Sequence, residues 1–171
     1  TLDAVRVTGI RRAIATSVET KSESSSIVEA ISAEDIGKLP DISIADSISR
    51  LPGLTAQRLD GRGQVIHIRG FSEQFAGTLL NGREQVTTGD NRGVELDQYP
   101  SELINGVTVY KTPEASLVGQ GISGTIDMQS IRPLAFGERR IVFAGQGERN
   151  SLGDLTEGGD DKGYRVSASY V

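Results

Sequence analysis

The stretch IADSISRLPGLTAQRLDGRGQVIHIRGF, residues 44–71, decides the fold. Its first part places Ile44, Ile48 and Leu51 at i, i+4 and i+7, the single apolar face of a short helix. Asp41 precedes it as a candidate cap, and Pro52-Gly53 stops it, because proline cannot sit in a helix interior. The texture then changes. Residues 54–59 and 64–69 read as two strands joined by the turn Asp60-Gly61-Arg62-Gly63. A brief helix feeding straight into paired strands belongs to a mixed α+β domain.

Working towards the carboxyl end, residues 77–80 form a strand that runs into Asn81-Gly82, the strongest two-residue hairpin signal. Residues 83–97 are polar and turn-rich, which predicts an exposed loop. Pro100 opens a short helix to Ile104, 106–110 is a strand, 113–117 is one helical turn, and 124–130 is a last strand. Towards the amino end, residues 27–31 make a small strand. Ser32-Ala33-Glu34-Asp35 then reads as a capping box for a helix cut short by Pro40. Residues 2–10 alternate apolar and polar side chains as a strand does, and a polar tether follows from Arg11 to Ser26.

Beyond Pro133 the pattern changes again. Tyr164, Val166, Ala168 and Tyr170 alternate with Arg165, Ser167 and Ser169, and Ile141 and Phe143 start a weaker run of the same kind up to Gly147. A Gly/Asp/Glu stretch, 149–162, separates them as a turn. Strands with one apolar and one polar face suit either a transmembrane β-barrel or a half-buried soluble hairpin, and the two strands alone do not choose. The alternation still runs at Val171, and Thr1 opens without a hydrophobic signal segment. The expectation is a piece of a longer protein, with a cytoplasmic chain as the other option.

Composition removes several function classes. The net charge of −5 leaves no basic footprint for nucleic acid. With no cysteine there is no disulfide, thiolate metal site or cysteine nucleophile. No apolar run is long enough for a membrane-spanning helix. Gly119, Gly121 and Gly124 spell a dinucleotide fingerprint, but a strand follows where a helix must open to meet pyrophosphate. His67, the only histidine, lies in an apolar strand without partners for catalysis or metal binding, so it reads as structural. Glu157, Asp160 and Asp161 lack the alternation of a calcium loop and read as a solvated turn. No metal, cofactor or enzymatic activity is expected.

The order of motifs resembles the plug family of TonB-dependent outer-membrane receptors. The resemblance rests on Ala45-Asp46-Ser47-Ile48 leading to Leu51-Pro52-Gly53-Leu54, then Ile66-His67-Ile68-Arg69-Gly70-Phe71 and Leu79-Leu80-Asn81-Gly82. It closes with Pro100-Ser101-Glu102-Leu103-Ile104, Val107-Thr108-Val109-Tyr110-Lys111 and Gly119-Gln120-Gly121-Ile122-Ser123-Gly124. It implies a tail at 1–21, a plug at 22–134 (a small mixed sheet with short helices) and, at 135–171, the first hairpin of the barrel that encloses the plug.

The resemblance also implies roles. Leu2, Asp3, Ala4, Val5, Arg6, Val7, Thr8 and Gly9 stand at the family's TonB box, which adds a strand to the TonB C-terminal domain, itself energised with ExbB and ExbD. Arg69 stands where the family has an arginine that pairs with barrel carboxylates. Lys111 replaces a second such arginine, keeping the charge and losing the planar fork. Lys111-Thr112-Pro113 resembles a branch associated with carbohydrate uptake. Outward loops would offer Glu73, Gln74, Phe75, Arg83, Glu84, Gln85, Asp90, Asn91 and Arg92 to a small-molecule or oligosaccharide substrate. A siderophore or metal-chelate receptor plug is the alternative, and a free-standing periplasmic module or an enzyme are further rivals.

Overall fold

The computed structural model describes residues 8–32, 43–59, 61–117, 121–136, 139, 141–149, 151 and 161–170. The chain forms two compact units, Thr1–Ile131 and Arg132–Val171. The first unit contains α1 (Thr8–Glu23), β1 (Val28–Ser32), α2 (Ile44–Ile48), β2 (Leu54–Leu59), β3 (Arg62–Ile68), β4 (Ala76–Leu80), β5 (Arg83–Glu84), β6 (Ile104–Tyr110) and β7 (Gly124–Ser130). Its described residues also include 3-10 turns at Glu73–Phe75, Leu96–Gln98 and Ser101–Leu103.

Five strands make a mixed sheet in the order β1-β6-β7-β4-β5. Among the described residues only β4 and β7 run parallel, from Ala76 opposite Gly124 to Leu80 opposite Met128. The hairpin β2–β3 is a separate antiparallel pair with an irregularity between Gln57 and Arg58. Inward residues of β1, β6 and β7 (Ile31, Val107, Val109, Ile126, Met128) meet Ile44 and Ile48 of α2 and Ile66 and Ile68 of β3 in one apolar core. Burial of this set is the driving term that holds otherwise marginal short elements together.

Several expectations need correction. Residues 1–7 lie outside the described residues, but Thr8, Gly9 and Ile10 begin α1 and are helical. The polar tether is thus mostly helix, and its Ile14 and Val18 lie beside Ile31 and Leu51 across a cavity of about 310 Å³. Apolar residues four apart suit this one-sided docking, whereas a short alternation is too brief to specify a strand. Ser32 is the last residue of β1, paired with Gly106, so the described part of that capping box is extended. Ser43, and not Asp41, caps α2: its Oγ accepts from the Asp46 amide at 3.2 Å and donates to Asp46 Oδ2 at 3.0 Å. Asp41 lies outside the described residues.

The loop expected at 83–97 holds the short strand β5 and contributes to the core, since Val94 and Leu96 are buried. Where a short helix from Pro100 to Ile104 was expected there is one 3-10 turn, Ser101–Leu103, and Ile104 already belongs to β6. At 113–117 there is a single turn closed by the Leu117 amide on the Glu114 carbonyl. The Asn81-Gly82 hairpin is as expected, with both φ angles positive at 52° and 76°.

The second unit contains α3 (Pro133–Phe136) and the strands β8 (Ile141–Arg149) and β9 (Lys162–Tyr170). These pair antiparallel from Ile141 opposite Tyr170 to Arg149 opposite Lys162. Ile141, Phe143, Tyr164, Val166 and Tyr170 share one face by that register and are exposed.

Candidate functional site

Two neighbouring turns organise the residues singled out above. After β3, Arg69 and Gly70 both take positive φ, 54° and 78°, and the Phe71 amide donates to the Ile68 carbonyl at 3.1 Å. Arg69 therefore sits in a tight left-handed turn and does not extend the strand. Such a backbone costs a non-glycine residue about 1–2 kcal/mol. The Arg69 amide is held by the Gly53 carbonyl at 2.8 Å, and its side chain is exposed, with no hydrogen bond or ion pair among the described residues. Strain at a residue that presents a charged group outward is typical of binding positions.

One residue earlier, the Pro52 carbonyl accepts a hydrogen bond from Lys111 Nζ. The motif Leu51-Pro52-Gly53-Leu54 thus offers successive carbonyls to the two basic residues, and the fold brings Arg69 and Lys111 to one place. Their side chains differ in direction. Lys111 is 8% exposed and lies 3.0 Å from Glu29 Oε1, so it points into the unit where Arg69 points out. Glu29 also meets Lys21 Nζ at 2.8 Å. Burial pushes the Glu29 carboxyl up, but hydrogen bonds from Lys21 and Lys111, with their charges, outweigh it and hold it below its ordinary value. Among the described residues the Lys111 ammonium is bonded within the plug, to a buried carboxylate and a carbonyl, and its expected barrel contact is not tested by this placement.

The loop residues fall into two groups. Glu73 joins the turn after β3 to the loop after β5, since Asn91 Nδ2 donates to Glu73 Oε1 at 3.3 Å and His67 Nε2 lies 3.0 Å from Glu73 Oε2. Phe75 is exposed and packs edge-on against exposed Phe71, with ring centroids 6.1 Å apart. Gln74, Asp90, Asn91 and Arg92 are exposed nearby in sequence. Arg83 and Glu84 form β5 at the far edge of the sheet, and Gln85 is half-buried, accepting from Tyr99 Oη at 2.9 Å. That hydroxyl is pushed up by burial and by Glu95.

The surface so formed mixes carboxylate, amide and aromatic edges, which can hydrogen-bond and stack on a small molecule. Among the described residues no three His, Cys, Asp or Glu side chains gather to hold a metal ion. Sequence reading missed Phe71, whose ring completes the aromatic pair, and Glu29, whose role depends on partners 8 and 82 residues away.

The TonB-dependent Receptor Plug Domain model matches residues 20–126. The chain belongs to this plug family. Solved structures share the plug's fold: the siderophore receptor PirA from Pseudomonas aeruginosa has a TM-score of 0.54 at 21% identity, over 72% of this chain and 22% of that one. The hemophore receptor HasR of Serratia marcescens gives 0.57 at 22% identity, over 72% and 20%. The copper transporter OprC gives 0.57 at 21% identity, over 73% and 20%. The plug thus spans about a fifth of the length of the receptors it matches.

Within the plug the dinucleotide-like glycines have a structural explanation. Gly124 opens β7 at φ 148°, and a Cβ there would stand 2.6 Å from the Tyr110 carbonyl oxygen. A Cβ on Gly121 would overlap the Gly124 carbonyl oxygen and stand 2.5 Å from the Gly77 amide nitrogen. These glycines let one backbone pass close to another, with a strand and not a phosphate-binding helix after them.

Proposed function

We propose that this plug gates a TonB-dependent active transporter of the outer membrane, with residues 22–134 occluding the barrel lumen until TonB and substrate act together. Residues 135–171 are the start of that barrel. The supporting observation is the sequence of parts: a family plug followed in the chain by an antiparallel hairpin on which Ile141, Phe143, Tyr164, Val166 and Tyr170 share one exposed face. An apolar outer face and a polar inner face are what a strand between lipid and a wet lumen requires. Leu2 to Gly9 carry the TonB contact, and their last two residues, Thr8 and Gly9, open α1. Arg69, exposed and unpaired among the described residues, is the barrel contact, and Lys111 serves inside the plug.

For the substrate, a siderophore or other metal chelate replaces the carbohydrate reading. The three neighbours above are described as a siderophore receptor, a hemophore receptor with heme, and a copper transporter. The Phe71–Phe75 edge beside Glu73 and Asn91 supplies stacking and hydrogen bonds for such a ligand.

Capture of the complete receptor by the periplasmic domain of TonB tests the gating reading. Capture is expected from the intact chain and lost on deleting Leu2 to Gly9. Equal capture after that deletion removes the assignment of the segment.

A further inference from the structure

Among the described residues strand β1 is an edge strand, bonded to β6 alone. Its first rung, Val28 opposite Tyr110, lies at the end where the chain arrives from α1. A load entering through α1 therefore meets β1 as a zipper, opening one rung at a time from this end. The same end is reinforced. The Lys111 amide donates to the Ile27 carbonyl at 2.8 Å, the Ile27 amide to Thr112 Oγ1 at 3.1 Å, and Ser26 Oγ to Glu114 Oε2 at 2.9 Å. Across it runs a chain of charge: Lys21 in the last turn of α1, Glu29 on β1, Lys111 after β6, and the Pro52 carbonyl beside β2.

We propose that Lys21, Glu29 and Lys111 form an electrostatic latch that sets the load at which α1 and then β1 leave the sheet, while β6, β7 and β4 stay. This rests on the reading above that load arrives at the amino end. The order follows from exposure. Lys21 is 46% exposed, so water replaces its bond to Glu29 as soon as α1 moves, and that contact fails first. Glu29 and Lys111 are 11% and 8% exposed and remain paired at that moment. Departure of α1 removes Ile14, Val18 and Lys21 from the wall of the cavity that also contains Glu29 and Ile31. Water then reaches the carboxylate, and attraction between charges drops severalfold as the local dielectric rises. Only then is the second pair weak enough for β1 to peel. The latch is thus brittle and sequential, holding firmly at rest and giving way within a small displacement.

Single-molecule force measurement on the complete receptor in a membrane tests this, with load applied through a covalent handle at the amino end. Lys21→Met is predicted to speed the first release step about fivefold at fixed load, with the same released length, covering α1 and β1. Lys21→Arg is predicted to restore the original rate. An unchanged first step in Lys21→Met, or a first step too short to include β1, overturns the latch. Repeating the pull with the TonB periplasmic domain as the handle separates the two ideas. A latch seen with the covalent handle but no attachment by TonB leaves the latch standing and removes the TonB reading. Attachment by TonB with no effect of Lys21→Met does the reverse.

Discussion

Glu29 shows most plainly how one residue joins stability to mechanism. Its carboxylate accepts from Lys21 and Lys111, and without it the Lys111 ammonium keeps, among the described residues, only the Pro52 carbonyl. Breaking such a buried pair from one side strands a charge, so Glu29→Gln is expected to cost about 3 kcal/mol in a denaturant titration near neutral pH. The pH dependence has a definite sign. The folded carboxyl lies below its ordinary value of 4.5, so its contribution is complete above that pH and is lost as pH falls through the lowered folded value. The gap between the parent and Glu29→Gln should therefore be constant from neutral pH down to about 5 and close below 4.5. A gap that widens on acidification contradicts the assignment. Neither lysine's part was legible in the sequence. Lys111 lies 82 residues from Glu29, and no local pattern marks which surface charge a fold will turn inward.

At the scale of elements, what could be read depended on how local the cause was. The strands read at residues 54–59 and 124–130 and the Asn81-Gly82 turn are set by neighbours in the chain, and they appear as β2, β7 and the β4–β5 hairpin. The amino-terminal helix was not legible, because its apolar residues Ile14 and Val18 acquire their meaning only beside Ile31 and Leu51. The cap of α2 was within reach: Ser43-Ile44-Ala45-Asp46 is a serine three residues before an acid, a stronger signal than Asp41. Arg69 reads as a strand residue by hydropathy, yet Gly70 after it was a turn signal. The close passage of backbones at β7 gives an element-scale prediction. Gly121→Ala forces a methyl against the Gly124 carbonyl and the Gly77 amide, neither of which can rotate away. A loss of about 2 kcal/mol is expected, read as a lower thermal midpoint. An unchanged midpoint means that the turn at 121–124 has slack the structure does not show.

The whole molecule combines a polar plug with a hairpin of opposite character. The first unit buries Ile44, Ile48, Ile68 and Val109 completely and turns charge and amide groups outward, whereas the second exposes Phe143 and Tyr164 at 80% and 91%. A surface of the first kind is at ease in water, and many wet contacts exchange for solvent at modest cost, which is what a removable stopper needs. The second kind needs lipid or a partner. The family was legible from six short motifs in order, while the substrate was not, because exposed loop residues such as Gln74 and Arg92 follow no packing pattern that the sequence would display. Ion conductance of the complete receptor in a planar bilayer tests the central claim most directly, comparing the intact protein with one that lacks residues 1–131. The intact receptor should be closed and the deletion should give large, steady channels; equal conductance from the two would contradict the gate.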